Sequence, residues 1–273
     1  MNPHGNINGT RKDMKKVIYS VLVGNYDKLR QPEVIVPGWD YICFSNDLLE
    51  KQIGVWQIRR FDYHNKLPVR ESHYPKMNPH LVLPEYECSL YLDAKVAFRE
   101  ALADRLPELA NGPTVLAMIP HPERNCVYQE AMLLTAWGIG EPDLIYQQAR
   151  YLLSRRFPAS SGLYDTAVIF RRHLRPEIIE FSRIWWDFYD AFSSRDQMAV
   201  SWALHQAGLK PDVLLPSSFF VDNLYPHEAK RRYPNSFSGW ELLRYYFAIL
   251  RIRLLFYRYG IKIYRWPGEK KAR

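Results

Sequence analysis

Apolar residues in this chain come in short blocks, and most blocks end in a cluster of polar or charged side chains. Residues 17–23 form a β-branched run that stops at Gly24, as a buried strand does. Residues 41–44 (Tyr-Ile-Cys-Phe) make a second short strand, closed by Ser45, Asn46 and Asp47, and 55–58 a third. Apolar runs at 88–92 and 115–119 lead into Asp93 and into Pro120-His121, and 167–170 leads into Arg171-Arg172-His173. Helical spacing covers 127–137, 142–153 and 176–192, with Pro176 in the first-turn position that proline favours. A further helix is predicted over 195–207, with Ser193 or Ser194 as N-cap and Gly208 as the stop. Residues 68–83 read as partly helical and broken at Pro75 and Pro79. Strands alternating with helices predict one α/β domain, with a mainly parallel central sheet flanked by helices, over 16–236. Residues 1–15 are polar and aperiodic and read as a disordered N-terminus, and 237–273 form a tail of different character.

That tail changes the picture of charge. Of the 273 residues, 47% are hydrophobic and 24% charged, ordinary values for a globular chain. The 15% aromatic content is high and suits either sugar-stacking faces or a dense core. The net charge is +8, and residues 237–273 carry +7 of it, with nine Lys/Arg against two Glu. Basicity therefore belongs to the tail, which argues against a nucleic-acid enzyme with a broad basic face. Arg244, Arg251 and Arg258 recur every seven residues, one stripe of a helix. Charges interrupt the apolar residues too often for a spanning helix. The expected element is a basic amphipathic helical extension lying on an anionic membrane surface, basic side toward lipid phosphates. The alternative is a helix packed on the catalytic domain with snorkelling arginines. Cys43, Cys88 and Cys126 are far apart, and no Cys-x-x-Cys supports a zinc knuckle or a redox dithiol. Cys43 and Cys88 read as buried thiols of a reducing compartment. The first sixteen residues hold no apolar run of the kind a signal peptide needs, so the expected location is cytoplasmic, peripheral to the inner face of the cell membrane.

The clusters at the block ends are the candidate chemistry, because ligands of open α/β sheets bind at strand ends. Gly24-Asn25-Tyr26-Asp27 follows the first strand. Glycine permits close approach of a ligand, Tyr26 could stack on a base, and Asp27 could accept a hydrogen bond from base or ribose; the tetrad also reads as an ordinary turn. Arg70, Lys76 and His80 suit phosphates or solvate a helix face. Asp93 and Lys95, two apart at a strand end, face one side. Two carboxylates there would suit a hard cation, but the second position is a lysine. Either Asp93 binds Mn2+ or Mg2+ with a distant partner such as His205 or His227, or Lys95 offsets a diphosphate without metal, or the two form a surface pair of little consequence. His121 could orient a sugar hydroxyl or transfer a proton, and Arg124 could contact phosphate or pair with Glu130. Asp165 precedes a strand and is placed to face the acceptor. Asp196, in the first turn of a helix, complements the helix dipole, takes a proton from an incoming hydroxyl or stabilises an oxocarbenium-like transition state. Of Trp185 and Trp186, one is expected in the core and the other in the wall of an acceptor pocket.

Several of these stretches together carry a family resemblance. The series Val23 to Asp27, Cys43-Phe44, Lys76 to His80, Ser89 to Asp93, His121 to Ala131, Gly162-Leu163, Arg171 with His173, Trp185-Trp186 and Ser194 to Gln197 resembles a glycosyltransferase-like domain family. That family includes plant mucilage-synthesis and ceramidase-related proteins and many bacterial proteins of surface-polysaccharide loci. The most specific stretch is His121-Pro122-Glu123-Arg124-Asn125-Cys126-Val127-Tyr128-Gln129-Glu130-Ala131, and the resemblance covers about residues 17–215. It implies a GT-A-type fold and transfer of a sugar from a nucleotide-diphosphate donor, such as a UDP-sugar, to a glycan or lipid-linked acceptor in surface polysaccharide synthesis. Tyr26 and Asp27 would then hold the nucleoside. Arg70, Lys76, Asp93, Lys95 and Arg124 would serve the diphosphate, and Asp196, His121 and Asp165 the reacting sugar or acceptor. Asp93-Ala94-Lys95 departs from the usual Asp-x-Asp and leaves metal use open. A membrane-surface hydrolase of a lipid amide or glycoside shares the tail and carboxylates, but no His-Glu-x-x-His or Gly-x-Ser-x-Gly stands in the chain. A non-catalytic nucleotide-sugar-binding protein is the third reading.

Overall fold

A computed structural model describes residues 14–24, 27–193, 195–216 and 237–262. In order the chain forms β1 (Lys16–Val21), β2 (Asp40–Phe44), β3 (Gln52–Ile53), β4 (Trp56–Arg59), α1 (Pro68–Met77), α2 (Pro79–Val82), β5 (Cys88–Leu92), α3 (Glu100–Ala103), α4 (Leu106–Asn111), β6 (Leu116–Pro120), α5 (Val127–Ala136), α6 (Pro142–Ser154), β7 (Tyr164–Arg171), α7 (Pro176–Ala191), α8 (Asp196–Gln206), β8 (Asp212–Val213) and α9 (Gly239–Arg258). The strands make one sheet in the order β3-β4-β2-β1-β5-β7-β6-β8.

The sheet is mixed. The block β4-β2-β1-β5 is parallel throughout, and β6 pairs parallel with β8. β7 runs antiparallel to both β5 and β6, and β3 to β4. The reversal of β7 sets its first residues beside the carboxyl end of β5, where the Asp93 N–H donates to the Ala167 carbonyl at 2.9 Å. The β6–β7 register also slips: Met118 faces Ile169, whereas Ile119 faces Asp165. The extra residues on β7 bulge there, a device that re-aims side chains next to functional sites.

Strand alternation divides the core into two layers. Val17, Tyr19 and Val21 point to the face covered by α1 and α5 to α9, with Trp185, Phe181 and Tyr128 at its centre. Ile18, Cys43, Cys88 and Leu90 point to the other face, which α3, α4 and the side chains of Trp39 and Phe98 cover. Cys43, Cys88 and Cys126 are buried free thiols, and burial pushes the first two up to about 12 and about 11.

Three local expectations need correction. Pro75 does not break α1, which runs on to Met77; the interruption falls at Asn78, and Pro79 opens α2. The last turn of α1 is held from outside: the Tyr19 hydroxyl reaches the Pro75 and Lys76 carbonyls at 3.4 and 3.3 Å, and Arg171 donates to the Lys76 carbonyl at 2.7 Å. Tertiary hydrogen bonds thus offset the one that proline removes. Asp165 lies inside β7, not before it. Ser193 does not cap α8; its hydroxyl donates to Gln148 Oε1 at 2.6 Å, Arg195 occupies the N-cap, and Ser194 lies outside the described residues.

The tail forms α9, which docks on α5 and α6. Tyr245 donates its hydroxyl to the Ala136 carbonyl at 2.7 Å, and Ile252, Leu255 and Phe256 are buried, with Phe256 edge-on to Tyr128 at 5.7 Å. Arg251 does not join a lipid-facing basic stripe. It pairs with Asp143 at 2.6 Å and lies 4.1 Å over the Tyr146 ring. Among the described residues no helix is long and apolar enough to cross a membrane.

Candidate functional site

Carboxyl ends of β1 and β5 and the start of β7 meet at a cavity of about 610 Å³. One face of α1, the first turn of α8 and the α5–α6 connection close its sides. On α1 the lining residues Val69, Ser72, His73 and Lys76 follow the i, i+3, i+4, i+7 spacing of a single helix face. Gly24 has φ +81°, and a Cβ there would stand 2.6 Å from Pro68 Cβ, so glycine is what lets the end of β1 and the start of α1 close on each other.

Lys76 sits at the centre of the site with its side chain 3% exposed. Its Nζ lies 2.6 Å from Asp196 Oδ2, 3.4 Å from Asp93 Oδ1 and 5.0 Å from the centre of the Tyr91 ring. Asp196 Oδ2 also accepts from Thr166 Oγ1 at 2.7 Å and lies 3.3 Å from His73 Nε2, while its Oδ1 takes the Gln197 N–H at 2.9 Å. Asp93 Oδ1 accepts from the Tyr91 hydroxyl at 2.7 Å. Among the described residues, Asp165 lies beside this network without a cation of its own within ion-pair distance; it accepts the Ala167 N–H at 2.7 Å and Gln197 Nε2 at 3.3 Å.

These surroundings drive the two buried carboxylates apart. Burial alone would raise Asp196, but Lys76 and His73 outweigh it and hold the group well below the usual carboxylate range. Burial likewise opposes the charge on Lys76, and Asp196 and Asp93 reverse that and raise it. Asp165 is pushed up to about 7: burial dominates, neighbouring Asp93 and Asp196 add to it, and the Ala167 N–H and Lys76 oppose it. At neutral pH the cavity therefore presents a fixed anion and a carboxyl able to take or give a proton. Such separation marks acid–base assignments.

A divalent cation does not fit these donors. Asp93 Oδ1 is already engaged by a hydroxyl and an ammonium, Asp196 Oδ2 by an ammonium and a hydroxyl, and the Lys76 charge stands where an ion would share both. Among the described residues no group of three His, Cys, Asp or Glu converges within metal reach. His205, the distant partner considered for Asp93, packs its exposed ring edge-on to Phe157 at 5.3 Å, outside the cavity lining; His227 lies outside the described residues.

The remaining site expectations separate into those that reach the cavity and those that do not. Asp27 and Lys95 line it, and Tyr26 lies outside the described residues. Arg70 leaves: it crosses to the end of α7, donating to the Asp190 and Phe192 carbonyls at 2.9 and 2.7 Å and pairing with Asp190 at 3.1 Å. His80 is not in the lining either. Arg124 pairs with Glu130 at 2.8 Å and Glu123 at 2.9 Å, with Nη2 2.9 Å from His121 Nε2. His121 Nδ1 faces the Glu123 and Arg124 N–H groups at 3.1 and 3.2 Å. Burial and the Arg124 charge push His121 down to about 3, so the ring is neutral at any ordinary pH. Neither residue is among those lining the cavity. Trp185 is in the core, and its Nε1 donates to the Asp196 carbonyl at 3.2 Å; Trp186 packs on Tyr63 and Tyr74, not on the cavity. His73 and Thr166 join the site without having been singled out from the sequence, and Arg195, which the sequence offered only as part of the Ser194–Gln197 stretch and with no role of its own, joins it too. For His73 the signal was available, since it shares the Lys76 face of α1. Arg195 passes over Gly140, where a Cβ would stand 3.3 Å from its Cγ, and its Nε is buried with no partner among the described residues.

Residues 7–232 match the model of a family described as TOD1/MUCI70, glycosyltransferase-like domain. Every cavity residue falls inside that span, and α9 falls outside it. Among solved structures, the crystal structure of mouse xyloside xylosyltransferase 1 in its apo form is similar at 11% identity, over 73% of this chain and 84% of that one, with a TM-score of 0.39. No curated protein matches the chain.

Proposed function

Because the chain belongs to the TOD1/MUCI70 glycosyltransferase-like family, we propose that its cavity transfers a sugar from a nucleoside-diphosphate donor to a hydroxyl of a glycan or lipid-linked acceptor. The observation that carries this reading is the pairing, in one cavity, of Asp165 near pKa 7 with the buried Lys76–Asp196–Asp93 network. The acceptor oxygen attacks the anomeric carbon, the bond from that carbon to the diphosphate oxygen breaks, and the diphosphate leaves with the electron pair. Asp165 takes the acceptor proton, which its near-neutral pKa suits. Asp196 keeps its charge, and together with Asp93 it holds Lys76 in place. Lys95 and Arg195, both at the cavity wall, offset the charge that develops on the diphosphate. Asp27, which lines the same cavity, accepts a hydrogen bond from the ribose or base in this reading.

The test is release of nucleoside diphosphate from a panel of UDP-, GDP-, CDP- and TDP-sugars, with glycan acceptors and in the presence of EDTA. Acceptor-dependent release from one donor class, lost in Asp165→Asn, supports the proposal. Release of free sugar with water as the sole acceptor would assign the site to hydrolysis instead. No release from any donor, with or without added manganese, would remove the reading.

A further inference from the structure

Helix α9 buries one side and leaves the opposite side apolar. At about 100° per residue, Trp240, Leu243, Phe247, Leu250, Leu254 and Tyr257 fall on a single arc facing away from Ile252, Leu255 and Phe256. All six are exposed, Trp240 by 80%, Phe247 by 63% and Tyr257 by 86%. Four apolar side chains thus form the centre of the arc, with a tryptophan and a tyrosine at its two ends, an arrangement of amphipathic rings suited to a lipid–water interface. Exposed Arg244 and Arg258 border the arc on one edge and exposed Arg253 on the other. The sequence that follows adds Lys262, Arg265, Lys270, Lys271 and Arg273, and Glu241 is the one acidic residue of the helix.

We propose that this outward face of α9 seats on an anionic lipid surface, its apolar arc entering the interface and its arginines meeting the phosphates. Charge complementarity selects this occupant. A second copy docked on the same face would set arginine edges against arginine edges, which like charge opposes, whereas an anionic bilayer satisfies both the apolar arc and its basic borders. The helix lies in the surface and does not cross it, in keeping with its docked inner side. Its grip on the protein, through Tyr245 on Ala136 and Arg251 on Asp143, is at the two ends of the α5–α6 connection, whose Ile139 and Gly140 wall the cavity. One short segment therefore joins the lipid-bound helix to the transfer site. The inference does not depend on the transferase reading, because lipid binding is read without any donor.

Co-sedimentation of the full chain with vesicles tests it. Vesicles of phosphatidylcholine with one quarter phosphatidylglycerol should bind the protein, vesicles of phosphatidylcholine alone should not, and binding should weaken as salt is raised. Arg244→Ala/Arg258→Ala should lower partition roughly thirtyfold, at about one kcal/mol per arginine. Phe247→Ser/Leu250→Ser should lower it at least roughly tenfold. These side chains are exposed, so unchanged thermal melts are expected. As a readout that does not use those variants, brominated lipid should quench wild-type fluorescence, and the quenching should be largely lost in Trp240→Phe. Equal binding to both vesicle types, absence of binding to either, or a dimer in solution that Phe247→Ser dissolves would each overturn the proposal.

Discussion

In the cavity, one buried lysine is shared by Asp196 and Asp93 while Asp165 has no cation of its own among the described residues; after β6, Arg124 is enclosed by Glu130, Glu123 and His121. Both clusters set a basic side chain among carboxylates and a histidine, and both lie at the end of a strand. The difference is what remains open. In the second cluster the arginine meets carboxylates on two sides, and the histidine is held neutral by burial and Arg124. Its polar groups serve the turn from β6 into α5, which the His121 N–H ties to the Leu163 carbonyl at 2.8 Å. In the cavity, burial leaves Asp165 between its two protonation states and in contact with open space. Density of charge does not mark a reactive site; an unsettled proton beside a cavity does.

The largest effect should come from Asp165→Asn. The substitution keeps the shape and the acceptor for the Ala167 N–H, replaces the acceptor facing Gln197 by an amide donor that Gln197 can meet with its own amide turned over, and removes the titrating proton; transfer should fall about 10²–10⁴-fold, the usual worth of a positioned base. In the wild type the rate should rise with pH through about 7 as the carboxyl ionises. Stability should move the other way. The folded-state pKa of Asp165 stands above the unfolded value, so the folded protein holds the extra proton between them, and stability falls as pH rises from about 4 to about 7. Asp165→Asn should therefore be more stable than wild type at pH 8, by roughly 2–4 kcal/mol, and equal to it near pH 4. A variant that is slow but no more stable at pH 8 would break the claim that Asp165 is strained by burial.

Lys76→Met comes next. It leaves Asp196 and Asp93 without their cation and should cost about 3–5 kcal/mol in urea unfolding. A loss under about 1 kcal/mol would mean the lysine is not buried as described. Arg124→Ala should cost less, roughly 2–3 kcal/mol through the loss of its charged hydrogen bonds, with kcat/KM changed less than threefold in the folded fraction. A hundredfold loss of kcat/KM at unchanged stability would mean that the 121–130 stretch takes part in the chemistry. Smallest is the effect on the His121 ring: its NMR shifts should not titrate between pH 5 and 9, and a transition near 6.5 would show that Arg124 and burial do not control it.

Individual members of the site were legible in the sequence because they stand where apolar runs stop: Asp93 after β5, Asp165 near the start of β7, and Asp196 at the first turn of α8. Their convergence was not. It depends on β7 running antiparallel to β5 and bulging between Asp165 and Ile169, and residues 164–166 (Tyr-Asp-Thr) carry no apolar pattern to show that the strand begins there. The burial of Lys76 follows from α1 continuing through Pro75, which local rules forbid and Tyr19 and Arg171 permit. Arg70 and Arg124 looked like phosphate ligands for their charge, yet each is used up by carbonyls or carboxylates inside the fold. In α9 the sevenfold spacing of arginines was visible, but apolar residues lie on two opposite faces, and periodicity alone does not say which one the domain covers. Buried thiols, the parallel block of strands and the stop at Gly208, which has φ +64°, follow local rules and match the structure.

The most direct test of the central claim is calorimetric titration of the protein with UDP, GDP, CDP and TDP in EDTA, repeated with Lys95→Ala and with Arg124→Ala. One nucleoside diphosphate should bind without divalent metal, Lys95→Ala should weaken it at least tenfold, and Arg124→Ala should leave it unchanged. Binding lost in Arg124→Ala and retained in Lys95→Ala, or no binding by any of the four, would contradict a nucleotide site in this cavity.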